Sequence, residues 1–106
     1  MRIFGLAGWS GSGKTTLLAA LIPELVARMS PVDLLLVEGW KRHPHPKIEV
    51  HRPSLGKELL YPEDPHVVAI ASDEPIAAPI PLLPLGDPGA VAAFISDHLG
   101  LASWRS

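Results

Sequence analysis

Residues 8–15 read Gly8-Trp9-Ser10-Gly11-Ser12-Gly13-Lys14-Thr15, a complete G-x-x-x-x-G-K-[ST] pattern. The pattern has meaning only between a strand and a helix. Both neighbours are present: the short apolar run Ile3 to Ala7 before it, and the helix-forming stretch Thr16 to Met29 after it. Gly11 and Gly13 let the backbone curl so that its N–H groups point at phosphate oxygens. The N-terminus of the following helix adds the positive end of its dipole. Lys14 is expected to reach the β- and γ-phosphates and the Thr15 hydroxyl to ligate Mg²⁺. The predicted nucleotide-binding residues of this segment are Gly8, Ser10, Gly11, Ser12, Gly13, Lys14, Thr15 and Thr16. The competing reading, a Gly/Ser turn before a helix, leaves the lysine and its spacing unexplained.

A chain of 106 residues suits one domain, long enough to enclose a core without staples. We therefore expect a single phosphate-loop domain over residues 1–106. Its strand, loop and first helix fall in residues 1–29, and residues 100–106 form a frayed tail. Cysteine is absent, so disulfides, zinc–thiolate sites and thiol nucleophiles are excluded. A net charge of −2 gives no electrostatic case for nucleic acid or an anionic membrane. The N-terminal residues enter the first strand too early for a signal peptide, and no apolar run is long enough to span a bilayer. A cytoplasmic protein is expected. The twelve prolines fall between apolar runs and read as loop punctuation.

In the first helix, Leu17, Leu21, Leu25 and Met29 form one apolar row, and Leu18, Ile22 and Val26 a second. Pro23 costs this helix a backbone hydrogen bond. After a turn at Ser30-Pro31, the near-continuous apolar run Val32 to Val37 suits a parallel strand buried on both faces. The segment Lys47-Ile48-Glu49-Val50-His51 alternates like a half-exposed strand, and Pro53 to Pro65 has no clear period. Val67 to Ala71 reads as another buried strand. Ile80 to Leu85 is a weaker one, placed at an edge by Pro81 and Pro84. Asp87 as N-cap and Pro88 at the first helical position start a last helix whose Val91, Phe94, Ile95 and Leu99 face inward. The whole is an α/β fold of the P-loop NTPase-like kind, a mostly parallel sheet flanked by helices.

Ligands of such sheets bind beyond the carboxyl ends of the strands. Glu38 ends an apolar strand, where an acidic residue supports Mg²⁺; the alternative is a carboxylate facing solvent. Ser72 and Asp73 end another strand. The Asp73 carboxylate can accept paired hydrogen bonds from guanine N1–H and N2–H₂, which adenine does not offer, or it can cap the turn that follows. His43, His45 and His51 have no cysteine or carboxylate cluster at ligand spacing and are read as exposed loop residues. Trp9 either covers the nucleotide or packs on a neighbouring chain. Trp40 and Tyr61 are interface anchors or core residues.

Three ordered segments resemble one known family, the MobB-type adaptors of molybdopterin-guanine dinucleotide biosynthesis. The first is Ala7 to Leu18, with an aromatic residue after the first glycine of the loop. The second is Leu36-Val37-Glu38-Gly39-Trp40-Lys41-Arg42, followed by Pro46 to Arg52. The third is Val68-Ala69-Ile70-Ala71-Ser72-Asp73. The resemblance implies GTP as ligand with Mg²⁺, a guanylyltransferase that joins GMP to molybdopterin as partner, a dimer, and at most slow GTP hydrolysis. The chain departs from the family in carrying several dozen fewer residues between the first helix and the Val-Glu-Gly strand. Family members place there a strand and a Lys-His-Thr-His-His-Asp-like stretch near the phosphates. The loss removes contacts for Mg²⁺, substrate and dimer but leaves the loop, its helix and both flanking strands. Nucleotide binding is therefore expected to outlast turnover.

Two other classes compete with an accessory GTP-binding protein. A small P-loop kinase acting on a metabolite needs a lid with arginines that clamp the transition state, and the five arginines here form no such cluster. A vestigial interaction module would keep the fold and bind nucleotide weakly.

Overall fold

A computed structural model describes residues 2–9, 11, 13–27, 34–38 and 45–99. Along the chain these form β1 (Arg2–Ala7), α1 (Lys14–Val26), β2 (Leu34–Glu38), β3 (Lys47–His51), β4 (Val67–Ser72), β5 (Leu82–Pro84) and α2 (Pro88–Leu99). The strands join in one sheet of order β2-β1-β3-β4-β5, and every pairing is parallel. This is the α/β architecture expected from the phosphate loop. The turn at Ser30-Pro31, the Met29 end of the first apolar row and the tail after Gly100 lie outside the described residues.

Period-two alternation divides the sheet into two faces. Phe4 and Leu6 of β1, Ile48 and Val50 of β3, and Ala69 and Ala71 of β4 enter one core cluster. Leu17, Leu21 and Leu25 of α1 and Val91, Ala92 and Ile95 of α2 complete it. Each large side chain fully enclosed there contributes on the order of 1.5–3 kcal/mol. The second apolar row of α1 does not behave as expected. Leu18 packs on the core, but Ile22 and Val26 stand about half exposed, at 54% and 53%. A helix turns about 100° per residue, so Ile22 and Val26, in the row next to Leu17-Leu21-Leu25, are rotated away from the core.

The edge strand and the last helix follow the proline signals. β5 is short and lies at the sheet edge, where the missing N–H of Pro84 costs no pairing with a further strand. Its neighbours keep the ladder: Ile70 N–H donates to the Pro81 carbonyl and Leu85 N–H to the Ser72 carbonyl, each at 2.9 Å. Asp87 caps α2, its Oδ1 accepting the Ala90 N–H at 3.1 Å. Of the inward positions, Val91 and Ile95 are buried and Phe94 is partly so, stacked on His98.

The strand expected to be half exposed is buried throughout. Its alternation is real: Ile48 and Val50 enter the core while Lys47, Glu49 and His51 occupy the other face. That face is covered by the chain's own segment 53–64, which folds into two short 3₁₀ turns, Pro53–Leu55 and Tyr61–Glu63, rather than remaining irregular. Glu49 pins the cover, its carboxylate accepting the Leu60 N–H at 2.7 Å and the Tyr61 N–H at 2.9 Å.

Burial pushes the Glu49 carboxyl above the usual glutamate range, outweighing the two N–H groups that pull it down. The folded chain thus holds this proton more tightly than the unfolded chain, whose glutamate titrates near 4.5. Stability from this residue is therefore full below about 4.5 and falls as pH rises through the higher folded value. Glu49→Gln, which resembles the protonated acid, is expected to lose that slope. Urea midpoints of both proteins between weakly acidic and neutral pH should show wild type losing ground to the variant as pH rises. Parallel curves would remove Glu49 as the source.

Candidate functional site

The helix that follows the phosphate loop begins on its own lysine. Gly13 is the N-cap of α1, with φ 101°, and Gly11 has φ 84°. L-residues with side chains rarely adopt these angles, so the glycines shape the loop. The Gly13 carbonyl accepts the first helical bond, from Leu17 N–H at 2.9 Å. No side chain caps this end, and the first turn carries no acidic residue. The leading N–H groups and the positive end of the dipole are therefore not taken up by a side-chain cap, the condition for an anion to bind at a helix N-terminus. Gly8 is buried at the end of β1, Lys14 is partly exposed, and Thr15 and Thr16 are exposed on the first turn. Ser10 and Ser12 lie outside the described residues.

The register of the sheet decides what faces this loop. His51, Ser72 and Pro84 are aligned across β3, β4 and β5. The residues that follow them, Arg52, Asp73 and Leu85, accordingly emerge along one edge. With Gly13, Thr16, Leu17 and Ala20 they line a cleft of about 310 Å³. A predicted phosphate loop and a predicted base reader, about sixty positions apart in the chain, thus share one cavity. On the other side of β1, Glu38 ends β2 in register with Leu6, so its backbone stands beside the entry to the loop. Its side chain is outside the description.

Ser72 and Asp73 divide their tasks. The Ser72 hydroxyl donates to the Glu74 carbonyl at 2.7 Å and accepts the Glu74 N–H at 3.2 Å. Ser72 is buried and its hydroxyl is engaged in the turn. The turn does not use Asp73, whose exposed carboxylate has no hydrogen bond or ion pair with another described residue. Arg52, which the sequence reading left without a role, is the residue it missed. A Cβ built on Gly13 would lie 3.2 Å from Arg52 Nη2 and 3.4 Å from Nε. The available signal was its position immediately after a parallel strand, the place where ligands of such sheets bind.

Trp9 leaves the loop in the opposite direction. Its indole N–H donates to the Glu58 carbonyl at 2.9 Å, and Lys57 Nζ stands 5.5 Å from the ring centroid. The indole thereby ties the loop to the segment that covers β3. A larger cavity of about 480 Å³ opens there between Trp9, Glu58–Leu60 and Pro62–Asp64. Two of the polar groups around it are already engaged: Asp64 pairs with Lys47 and accepts His66 N–H, and Leu60 N–H serves Glu49. Tyr61 is partly buried in its 3₁₀ turn, and Trp40 and His43 lie outside the described residues. Among the described residues, no three His, Asp or Glu groups converge on a metal position, and no helix is long and apolar enough to cross a membrane.

Comparison with known proteins points one way. The family model for MobB, molybdopterin guanine dinucleotide synthesis protein B, matches residues 23–73. The molybdopterin-guanine dinucleotide biosynthesis adapter protein of Haemophilus influenzae is 30% identical, covering 92% of this chain and 89% of the relative. The adapter protein of the same description from Escherichia coli is 27% identical, covering 92% and 93%. The first alignment spans 160 positions, more than the 106 residues available here. The relative therefore carries residues across that span that this chain lacks. Among solved structures, a MobB protein homolog from Bacillus stearothermophilus superposes with a TM-score of 0.67 at 19% identity, covering 93% of this chain and 98% of that one. A second, molybdopterin-guanine biosynthesis protein B, gives 0.68 at 18% identity, with 91% and 99% covered.

Proposed function

We propose, from the premise that the chain belongs to the MobB family, that it is a GTP-binding adaptor of molybdenum cofactor biosynthesis. It would act in the cytoplasm and assist the guanylyltransferase that joins GMP to molybdopterin. The observation that carries the nucleotide reading is the cleft in which Gly13 and Thr16 meet Asp73. The cleft offers an uncapped helix N-terminus for phosphate and a carboxylate for a base. Lys14 would neutralise the β- and γ-phosphates. Gly8, Ser10, Gly11, Ser12 and Gly13 would wrap them with backbone N–H groups, and Thr16 would flank the phosphate next to the ribose.

The residues present suit Mg²⁺ held together with the nucleotide. Mg²⁺ commonly takes one or two protein ligands and completes its shell with phosphate oxygens and water. Thr15, exposed on the first turn, and Glu38, at the end of β2, are the two this chain would supply. The ion would offset phosphate charge. Partner contact, molybdopterin and a second copy of the chain belong to the same proposal through the named relatives.

Base choice tests the reading. Asp73→Asn replaces one acceptor oxygen with an NH₂ donor, which would face a donor of guanine. The mismatch costs roughly 1–3 kcal/mol and falls on GTP more than on ATP. Xanthosine triphosphate carries an acceptor at that position and should gain what GTP loses. Calorimetric titration with the three nucleotides and Mg²⁺ is the measurement. Should the variant keep a wild-type preference for GTP, the base is read elsewhere.

A further inference from the structure

We infer that the Arg52 guanidinium binds the α-phosphate of the nucleotide, as a second cation separate from the loop lysine; this rests on the nucleotide reading above. Gly13 and Thr16 of the phosphate loop, Arg52, and Asp73, the residue assigned to the base, line one cleft. Whatever joins β-phosphate to base must occupy the interval between them, and in a nucleotide that is the α-phosphate and the ribose. Arg52 lines the same cleft beside the loop, its Nη2 3.2 Å from where a Cβ on Gly13 would be, within reach of the phosphate that follows the β-phosphate.

The charge arrangement supports a ligand rather than an internal pair. Arg52 and Asp73 line the same cleft with opposite charges, yet neither side chain forms a hydrogen bond or ion pair with the other or with any described residue. An arginine near a surface ordinarily finds a carboxylate when one is close, because the planar fork matches it bidentately. The register that aligns His51 with Ser72 sets both on the ends of adjacent strands, yet no ion pair joins them. A nucleotide answers both at once, with anionic oxygens for the guanidinium and base N–H groups for the carboxylate. Arg52 is exposed and outside the core, so its substitution leaves the fold intact.

The phosphate that Arg52 touches is present in GTP and GDP alike. Arg52→Ala should therefore weaken both by the same factor, about ten- to a hundredfold, the loss of one charge-assisted contact. Arg52→Lys should recover part of the affinity, and the deficit of the alanine variant should shrink in high salt as the ionic contact is screened. Calorimetry with GTP and with GDP, in low and high salt, on wild type, both Arg52 variants and Lys14→Ala measures all of this. If Arg52→Ala binds both nucleotides like wild type while Lys14→Ala does not, the Arg52 assignment falls and the nucleotide reading stands. A loss confined to GTP, or one that is the same in low and high salt, also overturns the α-phosphate contact. If wild type binds neither nucleotide, both readings fall together.

Discussion

Lys47→Ala is expected to lower the free energy of unfolding by about 3–5 kcal/mol. Lys47 is 2% exposed and its Nζ lies 2.7 Å from Asp64 Oδ2, inside the cover over β3. Removing the ammonium leaves an Asp64 side chain that is 10% exposed without its counter-charge. Chains of this size commonly have about 5–15 kcal/mol in total, so the variant should melt far earlier or fail to fold at room temperature. The double variant Lys47→Met, Asp64→Leu is the informative partner, because exchanging a whole buried pair for apolar groups is often neutral. Urea denaturation should place the double variant nearer to wild type than to Lys47→Ala. Equal midpoints for wild type and the single variant would show that the pair holds nothing.

The same pair has a signature in acid. Burial raises the Asp64 carboxyl, but the Lys47 ammonium and the His66 N–H outweigh it and hold the group below the usual aspartate value of 3.8. A depressed folded value contributes stability that is complete above 3.8 and lost as pH falls toward the folded value. Glu49 behaves in the opposite sense on the same face. The two carboxylates therefore favour a weakly acidic optimum for the cover that carries the partner of Trp9.

Lys14→Ala is the second large effect, and it should fall on binding alone. The ammonium lies at the first helical position of α1, forms no hydrogen bond or ion pair with another described residue, and takes no part in the core. Its removal should weaken GTP by at least the ~1.5–3 kcal/mol of a charge-assisted hydrogen bond, a ten- to hundredfold or greater rise in Kd. The urea midpoint should not move. Unchanged GTP affinity would sink the phosphate-loop assignment, and a lost fold would show that the lysine is structural.

How far the sequence carries the site can be read from single residues. Gly11, Gly13 and Lys14 were legible because a phosphate loop is a local object: its turn angles, its lysine and its helix N-terminus lie within eight consecutive residues. Asp87 and Pro88 were legible for the same reason, as a cap acts on the turn beside it. Asp73 was legible as a strand-end carboxylate, and the structure shows Ser72 rather than Asp73 closing the turn that follows. Alternation in β3 was also present in the sequence, and what it implied about exposure was not.

Exposure of Lys47 and Glu49 depends on what covers their face, and the cover comes from residues 53–64, whose own pattern has no period. The place of Arg52 depends on strand order and register, which bring the ends of β3, β4 and β5 to one line beside Gly13. The sequence by itself determined the class of fold and the strand–loop–helix of the G-x-x-x-x-G-K-[ST] segment, because those follow from periodicity and turn chemistry over a few residues. Only the tertiary structure decided which strand-end charges face that loop and which polar residues are buried, because burial and meeting are properties of segments far apart in the chain.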